Sequence, residues 1–152
     1  IYRGQCAELC GKDHGFMPVV VNVVSKDEYA GWLETKKAEA AEIRDLMAQT
    51  FTLDELMTRG KAVYERNCLA CHGANGEGGV GTAIAGSAVA MGDVSGHLEI
   101  GINGVPGSAM QAFGGQINDV EMAAVITYQR NAFGNNMGDM VQPIDVYNHK
   151  KG

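Results

Sequence analysis

Residues 67–79 read NCLACHGANGEGG. Two thiols and an imidazole, Cys68, Cys71 and His72, stand within five positions, and the chain then gives way to glycine. Thiolate and imidazole are strong side-chain ligands for soft and borderline metals. Glycine loses more conformational freedom on folding than any other residue, so glycine-rich backbone has little structure of its own. The chain holds 21 glycines, and 13 of them lie between Gly73 and Gly115. Such a stretch orders only if something beyond its own side chains provides an interior.

Cys68-x-x-Cys71-His72 has the spacing of a c-type haem attachment site. Two thiols add to the two vinyl groups on one edge of a porphyrin, and a helical turn between the cysteines matches that separation. The next residue projects over the ring face, where the His72 imidazole binds iron as proximal ligand. A haem is a large, flat, apolar body, and it provides the core that residues 73–115 cannot build. A zinc site with His97 as fourth ligand requires adjacent Cys71 and His72 on one tetrahedral ion. A redox CxxC belongs before a helix in a βαβ context, and none is evident.

The opposite face of the iron needs a ligand from downstream. His97, Met91, Met110 and Met122 are the choices. Met122 falls inside a helical pattern and reads as core; Met91 and Met110 fall in loops. The stretch NGVPGSAMQAFGG (103–115) is stiffened by Pro106 and turned by its glycines, so Met110 is the favoured distal ligand, with Met91 as the alternative. His97 falls in a short middle helix and reads as a surface or haem-edge residue. A methionine ligand raises the reduction potential and closes the iron to small molecules, which favours electron transfer over oxygen or peroxide chemistry. The rival reading, a haem-based sensor or peroxidase, needs iron that is five-coordinate or bound by a second histidine.

Helix signals surround this core. Thr52 and Glu55 form a capping box, and Leu53, Leu56, Met57, Gly60, Val63 and Tyr64 share one helical face. Gly60 on that face costs about 1 kcal/mol against alanine, which close approach of another helix explains. The partner is NDVEMAAVITYQRNAFGN (118–135), with Asn118 as cap, Glu121 closing the box and Gly134 as the left-handed stop. A shorter helix is expected around Val94–Ile100. Upstream, FMPVVVNVV (Phe16 to Val24) reads as a strand, and Ser25 with Glu28 caps a helix beginning at Lys26. ETKKAEAAEIRDLMAQ reads as a solvated helical linker with a thin apolar stripe of Ile43, Leu46 and Met47. Residues 135–152 read as a tail without a site.

The 152 residues carry 12 basic and 18 acidic side chains, a net charge of −6, so nucleic acid is excluded as a partner. No run of about 18 apolar residues offers a membrane span. The start, Ile1-Tyr2-Arg3, reads as the middle of a longer or processed chain. The four cysteines fall in two pairs, Cys6/Cys10 and Cys68/Cys71, each with a nearby histidine, which points to metal or cofactor chemistry rather than disulfides.

Residues 52–134 resemble a class I cytochrome c domain: helix, CxxCH, glycine-rich loop, methionine loop, helix. GQCAELCGKDHGFMPVVV (4–21) resembles the C-terminal part of the Cu-A domain in subunit II of cytochrome c oxidase, whose pattern C-x-E-x-C-x3-H-x2-M is met by Cys6, Glu8, Cys10, His14 and Met17. The order of the two units matches subunit II of the caa-type oxidases. The resemblance implies a mainly α chain: a cupredoxin remnant over 1–34, a helical linker over 35–51, a class I cytochrome c domain over 52–134 and a tail over 135–152. It implies that Cys6 and Cys10 bridge two coppers, that His14 and Met17 each bind one, and that Glu8 contributes its backbone carbonyl. Haem c and copper are the implied cofactors. Oxidase subunit I and a soluble or membrane-bound cytochrome donor are the implied partners, at the periplasmic face of the bacterial inner membrane. The family's other copper histidine lies far upstream, so no intact Cu-A centre is expected from residues 1–34 alone. Gln111 stands where the family often has proline after the ligand methionine. A free-standing cytochrome c, or a cytochrome subunit of another dehydrogenase or reductase, is the alternative function.

Overall fold

The Thr52 hydroxyl accepts from the Glu55 backbone N–H, and the Glu55 carboxylate accepts from the Thr52 backbone N–H. This closed box starts helix α2, Leu53–Asn67, in the computed structural model, which describes residues 1–8 and 17–152 and, of Ile43, Leu46 and Met47, the backbone alone. The chain divides into two units, residues 1–42 and residues 43–152.

In the first unit, strand β1 (Tyr2–Gln5) pairs antiparallel with β2 (Pro18–Val21), in the register Tyr2 with Val21 and Gln5 with Pro18. Of the strand expected over Phe16 to Val24, the described residues form Pro18–Val21, and every side chain of both strands is exposed. A two-stranded ladder without a covered face is marginal in water, which explains its short length. Ser25 and Glu28 cap helix α1, Lys26–Ala48, as expected. This helix is continuous through position 35, where the linker was expected to begin. It is exposed along its described length except at half-buried Leu33 and Ala41. The stripe expected of Ile43, Leu46 and Met47 lies outside the described side chains.

The second unit holds α2, the single turn α3 (Leu69–His72), α4 (Val94–Asn103), α5 (Asp119–Asn131) and α6 (Pro143–Lys151). Helices α2 and α5 cross at Gly60. A Cβ there would lie 2.1 Å from the Ala124 carbonyl oxygen and 2.6 Å from Tyr128 Cβ. The close approach inferred from the sequence is thus the reason for the glycine. Leu56, Val63 and Tyr64 from α2 are buried, as are Met122, Val125 and Ile126 from α5, each worth roughly 1.5–3 kcal/mol when fully removed from water.

Helix α4 is three residues longer than expected. Helix α5 has the Asn118/Glu121 box but ends at Asn131, before the anticipated stop. Ala132 is extended, and the left-handed turn is shared by Phe133 (φ 60°) and Gly134 (φ 83°). Phe133 is held there by packing its ring 5.0 Å from Tyr64 and 5.4 Å from Tyr128. Helix α6 lies in the segment read as a tail. Its Val146, with Val141 just before it, is fully buried, and the Thr127 hydroxyl accepts from the Val141 N–H at 2.9 Å. The helix was hidden because its short polar sequence, PIDVYNHKK, has no periodic apolar stripe.

Candidate cofactor site

Cys68 ends α2, its N–H donating to the Tyr64 carbonyl at 2.8 Å. The chain turns at once into α3, where the Cys71 and His72 N–H groups both donate back to the Cys68 carbonyl, at 3.1 and 3.0 Å. One helical turn thus separates the two thiols, as the spacing required. The Tyr64 hydroxyl donates to the Gly73 carbonyl at 2.7 Å and pins the exit of that turn. Burial, then the nearby Cys68, pushes this phenol up to about 12, so it remains a donor at neutral pH.

The glycine-rich backbone then folds back over the motif. Gly78 N–H donates to the His72 carbonyl and Gly81 N–H to the Cys71 carbonyl, both at 2.8 Å. The Thr82 carbonyl lies 2.7 Å from His72 Nδ1. A carbonyl only accepts, so Nδ1 carries a proton, and in the neutral ring this leaves the lone pair on Nε2, the tautomer a metal-binding imidazole needs. At Gly81 an added Cβ would fall 2.8 Å from the His72 ring, so this glycine lets the backbone pass against the imidazole.

Cys68, Cys71, His72 and Met110 line a single cavity of about 450 Å³, within the range of small-molecule and cofactor sites. Its wall includes Ile84, Val89, Ile100, Val105 and Phe113, an apolar set. Met110 is half-buried, and its carbonyl accepts from the Val105 N–H at 2.9 Å, which closes its loop. Among the described residues, neither Met91 nor Met122 lines the cavity; Met91 is 44% exposed and Met122 is in the core. Two thiols at one edge, an imidazole with its lone pair free, a thioether and a mostly apolar wall fit a covalently attached haem.

Neither Cys68 nor Cys71 is in a disulfide. Burial first, and the neighbouring Cys71 second, push the Cys68 thiol up to about 11. A thiol-exchange cysteine has the opposite shift, so the redox reading of the CxxC is not favoured here.

Of the two readings of His97, surface or haem-edge, the structure removes the first: the residue is 5% exposed and lines the cavity. Its Nε2 lies 2.9 Å from Gln129 Oε1, while its Nδ1 is buried without a hydrogen-bond partner. An unsatisfied buried polar atom costs about 1–3 kcal/mol. Burial, only partly opposed by the Gln129 contact, brings this imidazole down to about 4, so it is neutral at pH 7.

The structure also revises how the glycine-rich segment is ordered. Arg130, 2% exposed, donates from Nη1 to the Ala90 carbonyl at 3.1 Å and from Nη2 to the Gly92 carbonyl at 3.0 Å. Its charge is answered by Asp139, whose oxygens lie 2.9 and 3.0 Å from Nε, and this hydrogen bonding holds the Asp139 carboxyl below its usual range. Asn135 accepts from the Gly86 N–H at 2.7 Å and donates to the Ile84 carbonyl at 3.2 Å. Side chains in and just after α5 therefore clip residues 84–92 directly. The one hint in the sequence is an arginine set in the otherwise apolar run of α5, and its targets are backbone, which carries no pattern.

In the first unit, the Cys6 N–H donates to the Met17 carbonyl at 3.1 Å, and the Cys6 thiol lies 3.2 Å from the Glu8 carbonyl oxygen. Three members of the upstream pattern are thus neighbours. Cys10 and His14 lie outside the described residues.

Two family models match the chain. The one described as "Cytochrome C oxidase subunit II, periplasmic domain" matches residues 1–24, and the one described as "Cytochrome C oxidase, cbb3-type, subunit III" matches residues 55–128. Among similar proteins, the cytochrome c oxidase subunit 2 of Alkalihalophilus pseudofirmus is 33% identical over 103 residues, which is 65% of this chain and 27% of the relative. A match of that extent takes in residues 68–72 wherever it begins. The probable cytochrome c oxidase subunit 2 of Rickettsia bellii is 51% identical over 41 residues, 27% of this chain and 15% of the relative. The subunit 2 of Cereibacter sphaeroides is 44% identical over 50 residues, 33% of this chain and 16% of the relative. The chain spans about a quarter or less of the length of these curated relatives.

Proposed function

We propose that this chain, a member of the cytochrome c oxidase subunit II family with a cytochrome c domain behind its periplasmic-domain segment, carries electrons from a cytochrome donor to the Cu-A centre of its oxidase. The supporting observation is the convergence of Cys68, Cys71, His72 and Met110 on one cavity. A haem c bound there supplies reversible one-electron iron chemistry. Cys68 and Cys71 would hold it through thioether bonds. His72 would bind its iron through Nε2, oriented by the Nδ1 contact with the Thr82 carbonyl. Met110 would supply a thioether to the same iron and leave no open position for small molecules. The apolar wall limits water at the site, which keeps the charge change on reduction small in reorganisation.

Cys6, Cys10, His14, Met17 and the Glu8 carbonyl are assigned to the two coppers of Cu-A in the complete subunit. The hairpin that places Cys6 beside Met17 and the Glu8 carbonyl supports this. The oxidase core, with subunit I, receives the electrons, and the chain works on the periplasmic side of the bacterial inner membrane. Cysteine-bound copper and thioether-linked haem both suit an extracytoplasmic compartment.

The test is an optical spectrum of the purified, haem-matured chain. A c-type reduced spectrum that survives acid–acetone extraction, and a far-red band from methionine bound to ferric iron, are expected. Colourless protein, or extractable haem, overturns the reading. Ready binding of carbon monoxide by the reduced protein at neutral pH replaces Met110 as ligand and moves the chain to the sensor or peroxidase class.

A further inference from the structure

We infer that His97, braced by Gln129, is the buried hydrogen-bonding contact for a propionate carboxylate of the haem, and so positions the haem and helps set its potential. The inference rests on the haem reading above and extends it to residues that neither the attachment motif nor the ligand loop contains.

The cavity wall is mostly apolar, yet α4 and α5 each turn a buried polar side chain to it, His97 and Gln129. The two are joined at 2.9 Å through Nε2, which leaves Nδ1 as the one buried side-chain nitrogen or oxygen, among the described residues, with no partner. A nitrogen left buried and unpartnered on a side chain that lines a cofactor cavity marks the nearest place for a polar atom of the cofactor. A haem is apolar except at its iron and its two propionates.

Iron is the poorer match for Nδ1. This nitrogen stands next to the ring carbon that bears Cβ, so it approaches a flat macrocycle with more crowding than Nε2 does, and Nε2 is taken by Gln129. Met110 already offers a thioether from the loop on the cavity wall. A carboxylate at the porphyrin edge meets neither obstacle. Turning the Gln129 amide by half a rotation exchanges its oxygen and nitrogen. The amide N–H then donates to Nε2, the imidazole proton moves to Nδ1, and Nδ1 donates to the carboxylate as a neutral group. Arg130, buried on α5 next in sequence to Gln129, is committed to Asp139 and to the Ala90 and Gly92 carbonyls. It adds positive potential near His97 and leaves the hydrogen bond itself to the imidazole.

The experiment uses the haem-loaded chain. In the unsubstituted protein, proton NMR should show the His97 Nδ1–H in contact with propionate methylene protons. His97→Phe should raise the carboxyl pKa of that propionate, read by carbon-13 NMR, by about one unit, the tenfold effect of losing one hydrogen bond to a charged group. It should also lower the midpoint potential, because a less stabilised carboxylate favours ferric iron. Gln129→Leu should give the same signs with smaller shifts. The far-red methionine band should persist in both variants. If the unsubstituted protein is red and methionine-ligated but shows no Nδ1–H contact with a propionate, the inference is overturned while the proposed function stands, and this holds even if His97→Phe does not fold. A red unsubstituted protein that lacks the far-red band, and that binds carbon monoxide only after His97→Phe, assigns His97 to the iron and also overturns it. Colourless unsubstituted protein removes the haem reading first.

Discussion

The two units carry cysteine–histidine patterns of similar brevity and treat them in opposite ways. In residues 1–42 the described members, Cys6, Glu8 and Met17, ride on a hairpin whose strand side chains are all exposed. In residues 43–152 Cys68, Cys71 and His72 sit at the edge of a cavity closed by two further helices and a loop. Ligand spacing is a local property that a single turn can satisfy. An enclosed site also needs walls, and these come from residues far away in the chain.

The largest break in that contrast comes from replacing Cys68 and Cys71 together by alanine. Covalent haem should vanish, and the second unit should lose several kcal/mol of the stability that a bound group adds to the folded state. Hydrogen exchange should accelerate most in residues 73–83, which lack the Arg130 and Asn135 clips, and less in residues 84–92. Exchange in α1 should not change. Equal protection across 73–92 in the haem-free protein would show that the glycine-rich backbone is self-sufficient.

Next in size is the α2/α5 crossing. Gly60→Ala should destabilise the second unit by about 3 kcal/mol or more, because the new Cβ meets backbone that cannot step aside. Chemical denaturation followed by helix signal reads this directly. Arg130→Met follows, at about 2–4 kcal/mol, since it leaves Asp139 without its partner and two carbonyls without donors. Exchange at residues 84–92 should respond more than exchange in α2.

These two positions also mark what was legible in advance. Gly60 announced itself: a glycine on an apolar helical face, with a second capped helix downstream to meet it. The attachment turn and the three capping boxes were likewise local signals. Arg130 and Asn135 were not, because each acts on backbone carbonyls about 40 to 50 positions away, and backbone carries no identity for a sequence pattern to show. For His97 the choice between surface and haem edge stayed open for a related reason. A polar residue on a short helix reads as exposed until its buried partner, Gln129 on another helix, is known. Helix α6 was missed because two buried valines flanking one proline make no stripe.

His97 gives the next, smaller effect, and its sign is fixed by burial. The folded value of about 4 lies below the ordinary 6.5. Between those two values the unfolded chain binds the proton and the folded chain does not. Stability of the haem-free second unit should therefore be level above pH 6.5 and decline as pH falls from 6.5 toward 4. His97→Phe should flatten that part of a denaturation-versus-pH curve. An unchanged slope would place the acid sensitivity elsewhere, and Asp139 is not its source, since that depressed carboxyl loses its contribution only below this window.

The smallest effect has the opposite sign and lies in the first unit. Gly31 is in α1, and a Cβ built there meets nothing within 4 Å. Gly31→Ala is the same chemical change as Gly60→Ala, in the same kind of helix. Here only intrinsic propensity acts, since alanine has less backbone freedom to lose, and the change should stabilise α1 by about 0.5–1 kcal/mol. Amide exchange in α1 should slow by about two- to fivefold, with the second unit unmoved. A gain at Gly31 beside a loss at Gly60 separates helices held by propensity from helices held by packing. A loss at Gly31 would mean that this face of α1 is covered by something in solution, and the solvated reading of the helix would fall.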